Sequence, residues 1–216
     1  MIEIVPAILV KTPKELKERL REVEPFVNRV QIDIMDGKFV PNKTIQPEDM
    51  ELFKTDRMKE AHLMVKDNEK YAEDFLNLGF DMIIVHMESL RDAKGIIKMV
   101  KNRGKKIAFA INPPTPLSLL KDYLDDLDMV LIMTVNPGFS GQSFDPSVLS
   151  KIRELRSMKK NLDIEVDGGI KLGTVKLTAE AGANIFASCS GIFKYEDKKK
   201  AIEEMKGEAM NSTKLK

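Results

Sequence analysis

Eight short apolar runs recur along the 216-residue chain, at residues 4–9, 29–34, 58–63, 82–86, 106–111, 129–133, 163–167 and 185–189. Their length suits buried strands. The stretches between them carry apolar residues at three- and four-residue spacing, the helical period: Leu16, Leu20 and Val23; Tyr71, Phe75 and Leu78; Ile97 and Val100; Val148, Ile152 and Leu155. Gly79, Gly104 and Gly182 each stand between a helical run and the next strand, where a helix C-cap favours positive φ. Strands alternating with helices require a parallel sheet, and a count of eight favours an α/β (β/α)8 TIM barrel over a doubly wound open sheet. No Pro/Gly/Ser-rich linker or shift of composition divides the chain. We therefore expect one barrel domain over residues 1–206 and a polar tail at 207–216 that frays.

A barrel of this kind carries its chemistry at the C-terminal ends of its strands. Those ends hold Asp33, His62, His86, Asn112, Met133, Asp167 and Ser190, whereas the opposite ends hold mostly Lys, Arg, Met and Gly. Side chains alternate along a strand, so in "VQIDIM" the apolar Val30, Ile32 and Ile34 face the helices while Gln31, Asp33 and Met35 point inward. By the same alternation Glu60 and His62 point inward from "KEAHLM", and Glu165 and Asp167 from "DIEVDGG". Asp33 and Asp167 then approach from nearly opposite sides of the ring. Two facing carboxylates suit proton transfer on both faces of a planar intermediate, and carboxylates beside a histidine suit a divalent metal. Asp36 opens an Asp-Gly turn and reads as structural. His86 reads as a hydrogen-bonded core histidine rather than a pocket residue.

Three glycine-bearing loops follow the later strands: Gly138 to Gly141, Gly168-Gly169, and Ser190-Gly191. Backbone N–H groups in such loops can approach an anion, and the loops after the seventh and eighth strands of this fold commonly bind phosphate. A phosphate-bearing substrate is the expectation. Met35, Met64 and Met133 fall at or just past strand ends and are placed to roof a pocket. Cys189 reads as buried and unreactive.

The formal net charge of +1, with Lys and Glu scattered, argues against nucleic-acid or membrane-surface partners. A single cysteine excludes an intramolecular disulfide and cysteine-based zinc sites. The N-terminal run lacks a basic region before it, and no apolar stretch reaches the length of a membrane span, so a cytoplasmic protein is expected.

The blocks "DIMDGKFVPN", "HLMV", "NPPTPL", "MTVNPGFSGQSF" and "IEVDGGI" resemble the ribulose-phosphate 3-epimerase family in this order, across about residues 4–205. The resemblance implies interconversion of D-ribulose 5-phosphate and D-xylulose 5-phosphate by proton transfer at C3 through a metal-stabilised enediolate. It implies Asp33 and Asp167 as the catalytic acid/base pair. It further implies one divalent metal (Zn, Fe or Mn) on Asp33, His62 and Asp167. His62, Gly138, Phe139, Ser140, Gly141, Gly168, Gly169, Cys189 and Ser190 would meet substrate and phosphate, in a homo-oligomer. The chain departs from the family pattern at three positions. Gln31 replaces a metal-binding histidine, Ala7 a serine and Cys189 a glycine. Glutamine offers only a neutral amide oxygen, so Gln31 is expected to be a weak ligand. An epimerase of a related ketose phosphate such as allulose 6-phosphate, or a weakened sugar-phosphate-binding paralogue, are the alternatives. A decarboxylase or aldolase of related barrels is disfavoured because Met35 stands where their lysine is expected.

Overall fold

A computed structural model describes residues 1–50 and 53–213 of the chain. Eight parallel strands close into a barrel in sequence order: β1 (Glu3–Ile8), β2 (Arg29–Met35), β3 (Met58–Met64), β4 (Met82–His86), β5 (Lys106–Ile111), β6 (Met129–Met133), β7 (Asp163–Asp167) and β8 (Ile185–Ser188). Around them lie α1 (Pro13–Val23), α2 (Asn68–Asn77), α3 (Ala93–Asn102), α4 (Val148–Met158), α5 (Thr174–Ala181), the short α6 (Ser190–Phe193) and α7 (Lys198–Thr213). Local signals set these boundaries. Thr12 caps α1 through a capping box with Glu15 behind an N-terminal proline, and Gly182 closes α5 at φ 119°.

The apolar half of each strand packs outward. Ile32 and Ile34 of β2, Leu63 of β3, Val85 of β4, Phe109 of β5 and Phe186 of β8 are sealed against the helix layer with Leu16, Phe75, Val100 and Ile152. A smaller cluster fills the inside from β1, β4, β5, β6 and β8: Val5, Ile84, Ala108, Ala110, Leu131, Met133 and Ile185. At burial values near zero, each outward Ile or Leu contributes on the order of 1.5–3 kcal/mol.

Two departures from the sequence reading have physical causes. Among the described residues the crossovers β2–β3 and β5–β6 hold only single 3-10 turns, Pro47–Met50 and Leu117–Leu120. Pro113, Pro114 and Pro116 remove backbone donors from the second crossover and keep it from an α-helix. The polar segment expected to fray from residue 207 is instead helical to Thr213, and residues 214–216 lie outside the described chain. Tertiary contacts override its weak local pattern: Ala209 and Ser212 are buried, and Glu208 accepts a 2.8 Å hydrogen bond from the Gly173 N–H at the start of α5. Among the described residues no helix is long and apolar enough to cross a membrane.

Candidate active site

The inside of the barrel is divided. Strands β2, β3 and β7 send mostly polar side chains inward where the other strands send mostly aliphatic ones, Glu3 of β1 and His86 of β4 excepted. The predicted alternation holds, with Gln31, Glu60, His62 and Glu165 fully buried and Asp33 and Asp167 nearly so. Register places Gln31 beside Glu60, and Asp33 beside His62, one pleat higher. The polar residues therefore form two layers.

In the lower layer Arg29 donates to Glu60 at 2.7 Å and pairs with Glu3 at 3.0 Å. Burial pushes the Glu60 carboxyl up to about 7 against the opposing pull of Arg29. Glu165 is also raised well above the ordinary carboxylate range, by burial and then by Glu60 nearby, and neither of its oxygens has a hydrogen-bond partner.

The upper layer is the strand-end set. The Gln31 carboxamide Nε2 donates to Asp33 Oδ1 at 2.9 Å and to Asp167 Oδ2 at 2.9 Å, and stands 3.3 Å from His62 Nδ1. His62 Nδ1 lies 3.1 Å from Asp33 Oδ1 and 3.4 Å from Asp167 Oδ2. Burial opposes charge on this imidazole. Its hydrogen bonds to Asp167 and Asp33 outweigh that cost and lift it to about 9. Burial raises the Asp33 carboxyl and Asp167 adds to the rise, while hydrogen bonds from His62 and Gln31 oppose it. Behind His62, its Nε2 sits 2.9 Å from His86 Nε2, and His86 Nδ1 faces Glu88 at 3.3 Å. His86 is fully buried and hydrogen-bonded, the core role expected for it.

Asp33, His62 and Asp167 each present one ligand atom, all within 4.8 Å of one another, and such a buried group can hold a metal ion. The donor set is two carboxylate oxygens and one imidazole nitrogen. Gln31 turns its Nε2 toward this set; its Oε1, buried without a hydrogen-bond partner, would have to rotate inward to serve as a fourth ligand. The residues present fit a divalent cation, with three strong ligands rather than four.

Above this layer opens the barrel mouth. Met35, Met64 and Met133, all nearly buried, line it on the carboxylate side. The facing wall is formed by Gly138 to Gly141, Gly168-Gly169 and Cys189-Ser190. Among the described residues lining the mouth, the charged ones are Asp33 and Asp167 alone. An anion held here would rely on backbone N–H groups, which calls for close-approaching main chain. Gly168 and Gly169 meet that requirement at φ 112° and 64°. A Cβ on Gly168 would fall 2.4 Å from Val135 Cγ2, and one on Gly169 would fall 2.9 Å from the Phe144 nitrogen.

The structure thus gathers at one mouth all the sequence-predicted residues except His62 and Gln31, which lie directly beneath it. One expectation needs correcting. Cys189 is not sealed in the core but half-buried on the mouth, because β8 ends one residue before it. It is nonetheless held in the thiol form, since burial and then Asp33 and Asp167 push it up to about 12. Asp36 is structural as expected, accepting from the N–H groups of Lys38, Phe39 and Lys66. Two residues escaped the sequence reading. Arg29 was legible only as a strand start, because its partner Glu60 lies 31 residues away. Asn42 stood only as the last residue of the block "DIMDGKFVPN", yet its side chain donates to the Gly138 carbonyl across the mouth.

The sequence model described as the ribulose-phosphate 3 epimerase family matches residues 3–193. A ribulose-phosphate 3-epimerase of Bacillus subtilis is 41% identical over 215 residues, covering 96% of this chain and 99% of its own. A ribulose-phosphate 3-epimerase of Escherichia coli K12 is 40% identical over 186 residues, covering 83% of each chain. Among solved structures, 3-hexulose-6-phosphate synthase from Salmonella typhimurium superposes with a TM-score of 0.72 at 15% identity, covering 98% of this chain and 100% of that one. Orotidine 5'-phosphate decarboxylase from Pyrococcus horikoshii does so with a TM-score of 0.66 at 16% identity, covering 96% and 99%. At those identities the structures bear on the fold alone. The match over most of the chain, joined to the opposed aspartates on β2 and β7, places the chain in the ribulose-phosphate 3-epimerase family.

Proposed function

We propose that the protein interconverts D-ribulose 5-phosphate and D-xylulose 5-phosphate by two-base proton transfer at C3. The observation that carries this reading is the pair Asp33 and Asp167, reaching the same point from β2 and β7 with oxygens within 4.8 Å of one another. In the forward direction one ionised aspartate removes the C3 proton, leaving an enediolate. The other aspartate, in its acid form, returns a proton to the opposite face of C3, and the two exchange roles for the reverse reaction. A divalent ion (zinc, iron or manganese) held by Asp33, His62 and Asp167, with Gln31 as a weak fourth ligand, would polarise the C2 carbonyl and stabilise negative charge on the enediolate oxygens.

His62 orients both carboxylates through Nδ1, and Gln31 holds the same two from below. Met35, Met64 and Met133 keep water from the carbanionic carbon. The loops at Gly138–Gly141, Gly168-Gly169 and Ser190 receive the phosphate through backbone N–H groups, with Phe139, Ser140 and Cys189 completing the wall. Lys194 Nζ, 4.0 Å from where a Cβ on Gly141 would lie, is the cationic side chain beside that wall.

The test is isotopic. D-Ribulose 5-phosphate deuterated at C3, incubated with protein and added zinc or manganese, should lose deuterium to water as xylulose 5-phosphate forms. Retention of the label sinks the proposal. Washout confined to allulose 6-phosphate, run in parallel, would move the substrate to the longer ketose phosphate.

A further inference from the structure

We propose that Asn42 is a positioning residue that ties the loop after Asp33 to the anion-binding loop after β6, and so aims a backbone donor at the substrate phosphate. The proposal rests on the sugar-phosphate reading above and deepens it. The Asn42 side-chain Nδ2 donates to the Gly138 carbonyl at 2.9 Å, joining residues 96 apart in sequence. Next to this bond Val40 packs on the same glycine: a Cβ on Gly138 would lie 3.4 Å from Val40 Cβ. Val40 itself is buried in the cluster with Met35 and Met64.

The near end of this connection is stiff. The Thr44 hydroxyl accepts from the Met35 N–H at 2.8 Å and donates to the Asp33 carbonyl at 2.7 Å. Asp36 accepts three backbone N–H groups, at 2.8, 2.9 and 2.9 Å. The backbone from Asp33 through Thr44 is thus pinned at both ends, with Asn42 projecting from it. Its Oδ1 is engaged locally, accepting from the Lys43 N–H at 3.0 Å, which leaves Nδ2 to point across the mouth.

The far end rests on a glycine. Gly138 sits at φ 128°, in a region that glycine samples readily and other residues avoid. The flanking peptide planes can therefore rotate unless something holds them. In a trans peptide the C=O and the following N–H point in opposite directions. Holding the Gly138 carbonyl toward Asn42 consequently turns the Phe139 N–H the other way. Gln142 steadies the rest of the loop, with Nε2 donating to the Asn136 and Phe139 carbonyls at 2.7 and 3.0 Å. Neither bond fixes the 138–139 peptide plane. Asn42 does.

Asn42→Asp keeps the shape but replaces the donor by an acceptor facing a carbonyl, and Asn42→Ala removes the group. Calorimetric titration with inorganic phosphate should show affinity weakened about tenfold in both variants, the scale of one lost hydrogen bond. KM for D-ribulose 5-phosphate should rise by a similar factor while kcat stays within about twofold of the parent. Melting temperatures should match the parent, which separates positioning from misfolding. Unchanged phosphate affinity in both folded variants would overturn the proposal, as would a loss confined to kcat. Failure of a parent protein to bind phosphate at all would overturn it too. A parent that binds phosphate but does not epimerise fails only the assignment of the reaction, and the phosphate titration still decides the role of Asn42.

Discussion

The two polar layers inside the barrel come from the same three strands and share the same alternation, two residues apart on β3 and β7 and four apart on β2, where Gln31 stands between Arg29 and Asp33. Arg29, Glu60 and Glu165 are ionisable and buried; so are Asp33, His62 and Asp167. They differ in what lies on either side of them. The lower set is closed over, and its attraction is spent internally, Arg29 against Glu60 and Glu3. The upper set lines an open mouth, with ligand atoms of three residues converging and the Met and Gly walls above. An inward carboxylate on a barrel strand is therefore no mark of function by itself. Convergence at an accessible end is.

The largest expected effect separates the layers through catalysis. Asp33→Asn or Asp167→Asn keeps the shape and hydrogen-bonding size of the side chain but removes its proton-transfer capacity. Turnover should fall by about a hundred- to ten-thousand-fold, the usual worth of a positioned acid or base. Thermal unfolding should change less than catalysis, because the aspartate that remains still pairs with the buried His62 imidazolium. Full turnover in either variant would refute the two-base scheme.

The converse holds below. Arg29→Met should cost roughly 3–5 kcal/mol of stability, since it leaves the Glu60 carboxylate buried beside Glu165 without its cation. The sign with pH follows from the raised Glu60 pKa of about 7. A buried carboxyl that holds its proton more tightly when folded favours folding as pH falls. The deficit should therefore shrink as denaturation is repeated from pH 8 down toward pH 5. Specific activity of the folded fraction should be near that of the parent. A variant as stable as the parent but inactive would erase the distinction between the layers.

How legible was this division beforehand? Strand periodicity alone located Gln31, Asp33, Met35, Glu60, His62, Glu165 and Asp167 as inward residues of β2, β3 and β7, because a sheet face admits only every second side chain. It also marked the glycine loops, whose sites demand backbone conformations other residues avoid. What it could not supply was anything set by distant pairing. Arg29 acquires its meaning from Glu60 on the neighbouring strand, and Asn42 from Gly138 on the opposite rim. The helical run of 207–213 was hidden for the same reason, being stabilised by the packing of Ala209 and the Glu208 bond to Gly173 rather than by its own pattern. The helices absent among the described residues after β2 and β5 had a local signal in the prolines of those crossovers, and the count of eight repeats masked it.

Gln31 stands at the seam of the two layers and offers the finest test of what distinguishes them. Its NH2 group occupies the point toward which Asp33, Asp167 and His62 all face, so it already holds the aspartates together without an ion. A metal must compete with those two 2.9 Å hydrogen bonds and gains at most a neutral amide oxygen in exchange. Gln31→His replaces that oxygen by an imidazole nitrogen, the ligand zinc prefers. Zinc affinity, read by competition with a chromophoric chelator, should rise by about tenfold or more, and manganese, which favours oxygen, should gain less. Equal gains for both ions would mean that the substitution merely freed the aspartates from the amide. No gain for either would place the ion away from Gln31, leaving the carboxamide purely as the brace between Asp33 and Asp167.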